Sequence, residues 1–180
     1  LLLHLNGICM PKRGTVIVDG LKLSKSSVKR IRQKVGVVFQ NPDDMLFSPT
    51  VFEDVSFGPR NMGLRDIRKR VREVLIEVGM SGFESKNPHH LSLGQKKRVS
   101  LAAVLSMRPD IIVFDEPTSH LDPKGKKDIM KLIESLKATK IISTHDLNLL
   151  KYCDNVSIMN DGEVVYCGSR PSKKILMEQN

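Results

Sequence analysis

Two adjacent carboxylates, Asp115 and Glu116, follow the apolar run Ile111-Ile-Val-Phe. Such a run reads as a buried parallel strand. Its end delivers both acids to the carboxyl edge of a sheet, where open α/β sheets bind ligands. One carboxylate there can hold Mg²⁺ and its neighbour can polarise a water, two of the parts that phosphoryl transfer requires. Upstream, Ser92-Leu-Gly-Gln95 opens a helix whose first backbone N–H groups could receive a phosphate. Downstream, His145 follows a second apolar strand, Ile141-Ile-Ser-Thr, and precedes a new helix, a position that favours a site residue over a satisfied polar one. Plainer readings stand beside these: the acid pair could cap a neighbouring helix, and Ser92 is itself expected to be an N-cap. The order in which the pieces occur favours the chemistry.

The elements that must position these residues alternate. Strands are expected at Thr15–Asp19, Lys34–Phe39, Asp110–Asp115, Lys140–Ser143, Asn155–Met159 and Glu163–Tyr166. Asn160-Asp-Gly supplies the turn for a hairpin between the last two. Ile67, Val71, Val74, Leu75 and Val78 fall at helical spacing, as do Ile129, Leu132, Ile133 and Leu136. Asp122 before Pro123 is an N-cap and first-turn pair. The helix that follows lies between the carboxylate strand and the Lys140 strand, making a βαβ unit and hence a parallel sheet.

In this order the motifs resemble those of the ABC ATPases, over the whole of residues 1–180. Gln40, ending Val35-Gly-Val-Val-Phe-Gln, matches the Q-loop glutamine. Leu91-Ser-Leu-Gly-Gln95 matches the Leu-Ser-Gly-Gly-Gln signature, Asp115 and Glu116 the Walker B aspartate and catalytic glutamate, Ser119–Asp122 the D-loop, and His145 the switch histidine. The resemblance implies a P-loop NTPase-type (RecA-like) α/β fold, a parallel sheet with an inserted α-helical subdomain at about 48–92, incomplete at its N-terminus. It implies ATP and Mg²⁺ as cofactors. Glu116 and His145 would be catalytic, and Gln40 and Asp115 would face the metal. Gln40, Ser92, Gly94, Gln95, Asp115 and Asp122 would bind nucleotide, with the signature element acting on ATP held by a second ABC ATPase subunit, identical or paralogous.

The stretch Asn41-Pro-Asp-Asp-Met-Leu-Phe-Ser-Pro-Thr50 resembles the Q-loop region of cobalt, nickel and energy-coupling-factor importers, where it faces coupling helices of the membrane subunit. The implied role is the ATP-hydrolysing subunit of an importer for cobalt or nickel ions or a vitamin. It would sit at the cytoplasmic face of the cell membrane beside a transmembrane permease. His89-His90 precedes the signature and is read as structural, because adjacent histidines point apart and lack partners at ligand spacing.

Three departures matter. No Gly-x-x-x-x-Gly-Lys-Ser/Thr phosphate loop occurs. The chain is therefore expected to be a piece of a longer protein, inactive by itself although the complete protein hydrolyses ATP. Without the strand that carries the loop, Ile111–Phe114 is expected to present unpaired backbone groups. Leu93 stands where the signature usually has glycine, and a positive φ there would cost about 1–2 kcal/mol.

Composition sets the alternatives. Lysine and arginine number 29 against 20 acidic residues, giving +9, which favours anionic partners without choosing among them. Arg65, Arg68, Lys69, Arg70 and Arg72 read as a solvated helical face. With two Tyr and no Trp, a base-stacking platform is not expected, and nor is nucleic acid as a partner. A soluble ABC ATPase acting on nucleic acid or ribosomes is the first alternative, and a non-catalytic ABC-like domain is the second. The roughly fifty residues between Gln40 and Ser92 hold no sustained heptads of the kind that coiled-coil members insert. Cys9, Cys153 and Cys167 are scattered, as in a reduced cytosolic protein. No apolar stretch approaches the ~20 residues of a membrane span.

Overall fold

The structure, a computed structural model, describes residues 1–169. It divides into two compact units, the first Leu1–Ser143 and the second beginning at Thr144. The first unit is built on a parallel sheet of β3 (Val35–Val38), β4 (Ile111–Asp115) and β5 (Thr139–Ser143), in that spatial order. Val35 pairs with Ile111 and Ile111 with Thr139, so the ladder runs unbroken to Asp115 opposite Ser143. The expectation that Ile111–Phe114 would lack partners is therefore corrected. The crossover helix α5 (Pro123–Ser135) returns β5 directly alongside β4, and the carboxylate strand is paired on both sides without any further strand. The outer strands among the described residues are β3 and β5.

Alternation along β4 explains the layers. Val113, with partly buried Ile111, joins Val35, Val37 and Ile31 of helix α1 (Val28–Lys34) in one cluster, which Val18 and Leu23 extend. Ile112 and Phe114 are fully buried too, and Phe114 lies with Leu101, Ile129 and Ile133 of helices α4 (Leu93–Leu105) and α5. A strand covered on both faces has no use for polar alternation, hence the continuous apolar run. At Gly36 α4 packs close against the sheet: an added Cβ would collide with Val104 and lie 3.2 Å from Pro109.

The expected strand at Thr15–Asp19 is shorter, β1 (Ile17–Val18), and pairs with β2 (Leu21–Lys22), which the sequence reading missed. Asp19 and Gly20, both at positive φ (47° and 73°), form the two-residue turn, so the Asp-Gly signal was present. Residues 48–92 contain α2 (Val51–Asn61), α3 (Ile67–Glu77) and a 3-10 turn at Pro88–His90, with no strand. Thr50 caps α2 through the Glu53 amide, and Val71, Val74 and Leu75 form the buried stripe of α3. The buried Ser106 hydroxyl donates to the carbonyl of Val55 at 3.0 Å, fastening α2 to the end of α4.

In the second unit, a 3-10 segment Leu147–Tyr152 precedes the antiparallel hairpin β6 (Val156–Asn160) and β7 (Glu163–Gly168). Asp161 and Gly162 take the two positive φ values (47° and 85°) that the Asn160-Asp-Gly turn predicts.

Candidate active site

Because β3, β4 and β5 are parallel, their carboxyl ends open on one edge, and the chain leaves that edge at Gln40, at Asp115-Glu116 and after Ser143. Asp115 closes β4, partly buried. Glu116 continues the ladder by donating its amide to the Ser143 carbonyl at 3.0 Å, then turns to φ +43°. This left-handed backbone costs a non-glycine residue about 1 kcal/mol and is typical of functional positions. The turn that follows is closed by the Ser119 amide on the Glu116 carbonyl (3.1 Å), over a fully buried Thr118. His120, at φ +59°, is a second left-handed residue, within the segment Ser119–Asp122.

Lys97, not singled out from the sequence, sits beneath this turn. It is 6% exposed, and its ammonium donates to the Gln40 carbonyl (3.1 Å), the Ser119 hydroxyl (3.3 Å) and the Glu116 carbonyl (3.5 Å). Burial pushes its pKa below the ordinary lysine value, while the Glu116 charge pulls it up. Its neighbour Lys96 pairs with Asp43 at 2.7 Å, so the first turns of α4 are bonded to the Gln40–Asp44 loop twice. A sequence signal existed, since Lys97 shares one buried helical face with Ser100, Leu101 and Val104, where a lone cation stands out.

Ser92 caps α4 in a reciprocal box: its hydroxyl accepts the Gln95 amide (3.4 Å), and the Gln95 side chain accepts the Ser92 amide (2.9 Å). The first helical bond is from Lys96 N–H to the Ser92 carbonyl, so the amides of Leu93 and Gly94 lie ahead of it, where an anion is favoured. Leu93 is the first residue of α4 and is not among the positive-φ residues, so the anticipated backbone cost does not arise. Asp122 caps α5 by accepting the Gly125 amide at 3.1 Å. His145 belongs to the second unit and is exposed in the turn before Leu147, where the Asp146 amide donates to the Thr144 hydroxyl. His89 and His90 are exposed. No group of three or more His, Cys, Asp and Glu residues able to hold a metal occurs among the described residues. The oxygen donors of Asp115 and Gln40 nonetheless suit Mg²⁺, a hard cation that needs only one or two carboxylates and retains waters.

The loop beyond Gln40 carries an exposed aromatic pair. Phe47 and Phe57 meet edge to face at 5.0 Å and are 62% and 50% exposed. Buried Asp54 holds the loop by accepting the amides of Phe47 (3.1 Å) and Ser48 (2.9 Å). No helix among the described residues is long and apolar enough to cross a membrane.

The family model described as "ABC transporter" matches residues 1–119. The energy-coupling factor transporter ATP-binding protein EcfA of Methanocaldococcus jannaschii is 52% identical over 177 residues, covering 94% of this chain and 63% of that protein. The chain thus spans a little under two thirds of that relative's length. Among solved structures, CbiO1 of Clostridium perfringens, described as part of the ABC transporter complex CbiONQ, superposes with a TM-score of 0.84 at 42% identity, over 98% of this chain and 73% of that one. An ATP-binding cassette solved as a dimer bound to ADP and Pi gives 0.82 at 30% identity, over 95% and 79%. The β3-β4-β5 sheet with its carboxylate edge and capped α4 is accordingly that of an ABC cassette, and the chain belongs to the ABC transporter ATP-binding family.

Proposed function

We propose that the protein is the ATP-hydrolysing subunit of a membrane importer of the energy-coupling type. The observation that carries the reading is the carboxylate pair at the end of β4, with Glu116 held at positive φ beside the Gln40 loop. In it, Asp115 and Gln40 face Mg²⁺, Glu116 orients the attacking water, and His145 contacts the γ-phosphate. Ser92, Gly94, Gln95 and Asp122 act on nucleotide across a dimer with a second ATPase subunit. Bound Mg²⁺ would supply positive charge to the phosphate oxygens. Residues from about 48 to 92 form the helical subdomain, and the Phe47–Phe57 surface at its start meets a transmembrane permease at the cytoplasmic face of the membrane. Cobalt, nickel or a vitamin is the proposed cargo, in keeping with the relatives named EcfA and CbiO1.

The test is Mg²⁺-dependent phosphate release by the full-length protein and by its Glu116→Gln variant. A loss of about 10²-fold or more in kcat with nucleotide binding retained is expected. An inert full-length protein removes the enzyme reading. Co-purification with a permease separates an importer from a soluble ATPase, and a salt-sensitive shift of nucleic acid would favour the latter.

A further inference from the structure

We propose that Lys97 is a positioning residue that holds Glu116 and Gln40 in one frame for hydrolysis. The inference rests on the ATP-hydrolysing reading above. A lysine ammonium has three donors and no acceptor, and here three oxygens from two segments surround it: Gln40 O from one, Glu116 O and Ser119 Oγ from the other. The side chain is buried, and a buried charge is tolerated only when its hydrogen bonds are made. Its cost is therefore tied to the arrangement of those three oxygens.

The geometry says what is gained. Glu116 occupies a backbone conformation that a non-glycine residue leaves unless held, and its carbonyl is held by two donors, the Ser119 amide and the Lys97 ammonium. Fixing that peptide fixes the direction in which the carboxylate leaves the chain. The same ammonium fixes the peptide of Gln40, at the end of the neighbouring strand. α4, which carries the Ser92 cap at its start, thus sets the spacing between the two residues proposed to flank the attacking water. A displacement of about 1 Å at such a pair is enough to slow a reaction a hundredfold.

The experiment compares full-length wild type, Lys97→Met and Lys97→Gln, by steady-state ATP hydrolysis and by amide hydrogen exchange. Methionine, one atom shorter, nearly keeps the volume and removes all donors; glutamine restores two donors without charge. For Lys97→Met, kcat is expected to fall about 10–100-fold with KM for ATP within about twofold. Exchange at Glu116 and Ser119 should quicken at least about tenfold while the β4 amides Ile112–Phe114 stay protected. Lys97→Gln should recover part of both losses. Unchanged exchange at Glu116 and Ser119, or equal losses in the methionine and glutamine variants, overturns the proposal. If wild type releases no phosphate, the ATPase reading falls, while the exchange data still decide whether Lys97 fixes the two segments. If Lys97→Met does not fold, the comparison of Lys97→Gln with wild type decides, by a lowered kcat at unchanged KM.

Discussion

The amide of Glu116 donates to the carbonyl of Ser143 at 3.0 Å, and this bond is the last step of the β4–β5 ladder before Glu116 swings to positive φ. The residue proposed to orient water is thus fixed on one side by regular sheet and on the other by strain. Glu116→Ala and Glu116→Gly should both abolish hydrolysis. They should differ in stability, with the glycine variant the more stable by about 1 kcal/mol because only it takes this φ without a clash. Urea unfolding of the two variants reads the difference directly.

Lys97 gives stability a dependence on alkaline pH. Burial penalises its protonated form, so its folded-state pKa lies below the unfolded value. Between those two values the unfolded chain binds more protons than the folded one, and this group's contribution rises with pH. Wild type should therefore gain on Lys97→Met as pH is raised from neutrality toward about 10. A constant difference in unfolding free energy across that range would contradict the burial described for the ammonium.

Leu93 opens a regular helix with no positive φ, so restoring the glycine of the usual signature should not relieve anything. Leu93→Gly is expected to destabilise the protein by about 0.5–1 kcal/mol through backbone entropy. Thermal unfolding checks the sign.

Asp54 is one acceptor serving two amides, those of Phe47 and Ser48. Asp54→Ala leaves both without their partner and should cost about 1–3 kcal/mol. If the aromatic pair meets a permease, the same change should weaken co-purification with it, whereas Asp54→Asn, which keeps an acceptor oxygen, should weaken it less.

Gly36 faces Val104 too closely for any side chain. Gly36→Ala should destabilise by about 1–3 kcal/mol, and Val104→Ala in the same molecule should return part of that loss. Additive losses in the double mutant, measured by denaturant unfolding, would show that the contact does not limit the approach of α4.

What the sequence made legible was whatever its chemistry settles locally. Ser92, Asp122 and the Asn160-Asp-Gly turn each act on amides or φ values within three residues, and all three form as read. The Asp115 strand was readable because burial on both faces erases polar alternation. The strands on either side were expected too, but not that they flank it, since strand order depends on where the α5 crossover lands, a choice made by packing. Lys97 was hidden for a related reason: its partners lie 57, 22 and 19 residues away. The φ at Leu93 followed the capping box, a local signal that was outweighed by comparison with a motif.

The close approach at Gly36 also governs how α4 can move. A helix seated in a gap one side chain deep behaves like a key in a slot. Alternate residues of β3 face opposite sides of the sheet, so on the α4 side the nearest bulk beside the glycine is Val38, and Val104 moved that way would run onto it. Travel of α4 in that direction is thereby resisted by the sheet. A push delivered at Ser92 in that direction would be passed to β3 instead of being lost as sliding between helix and sheet.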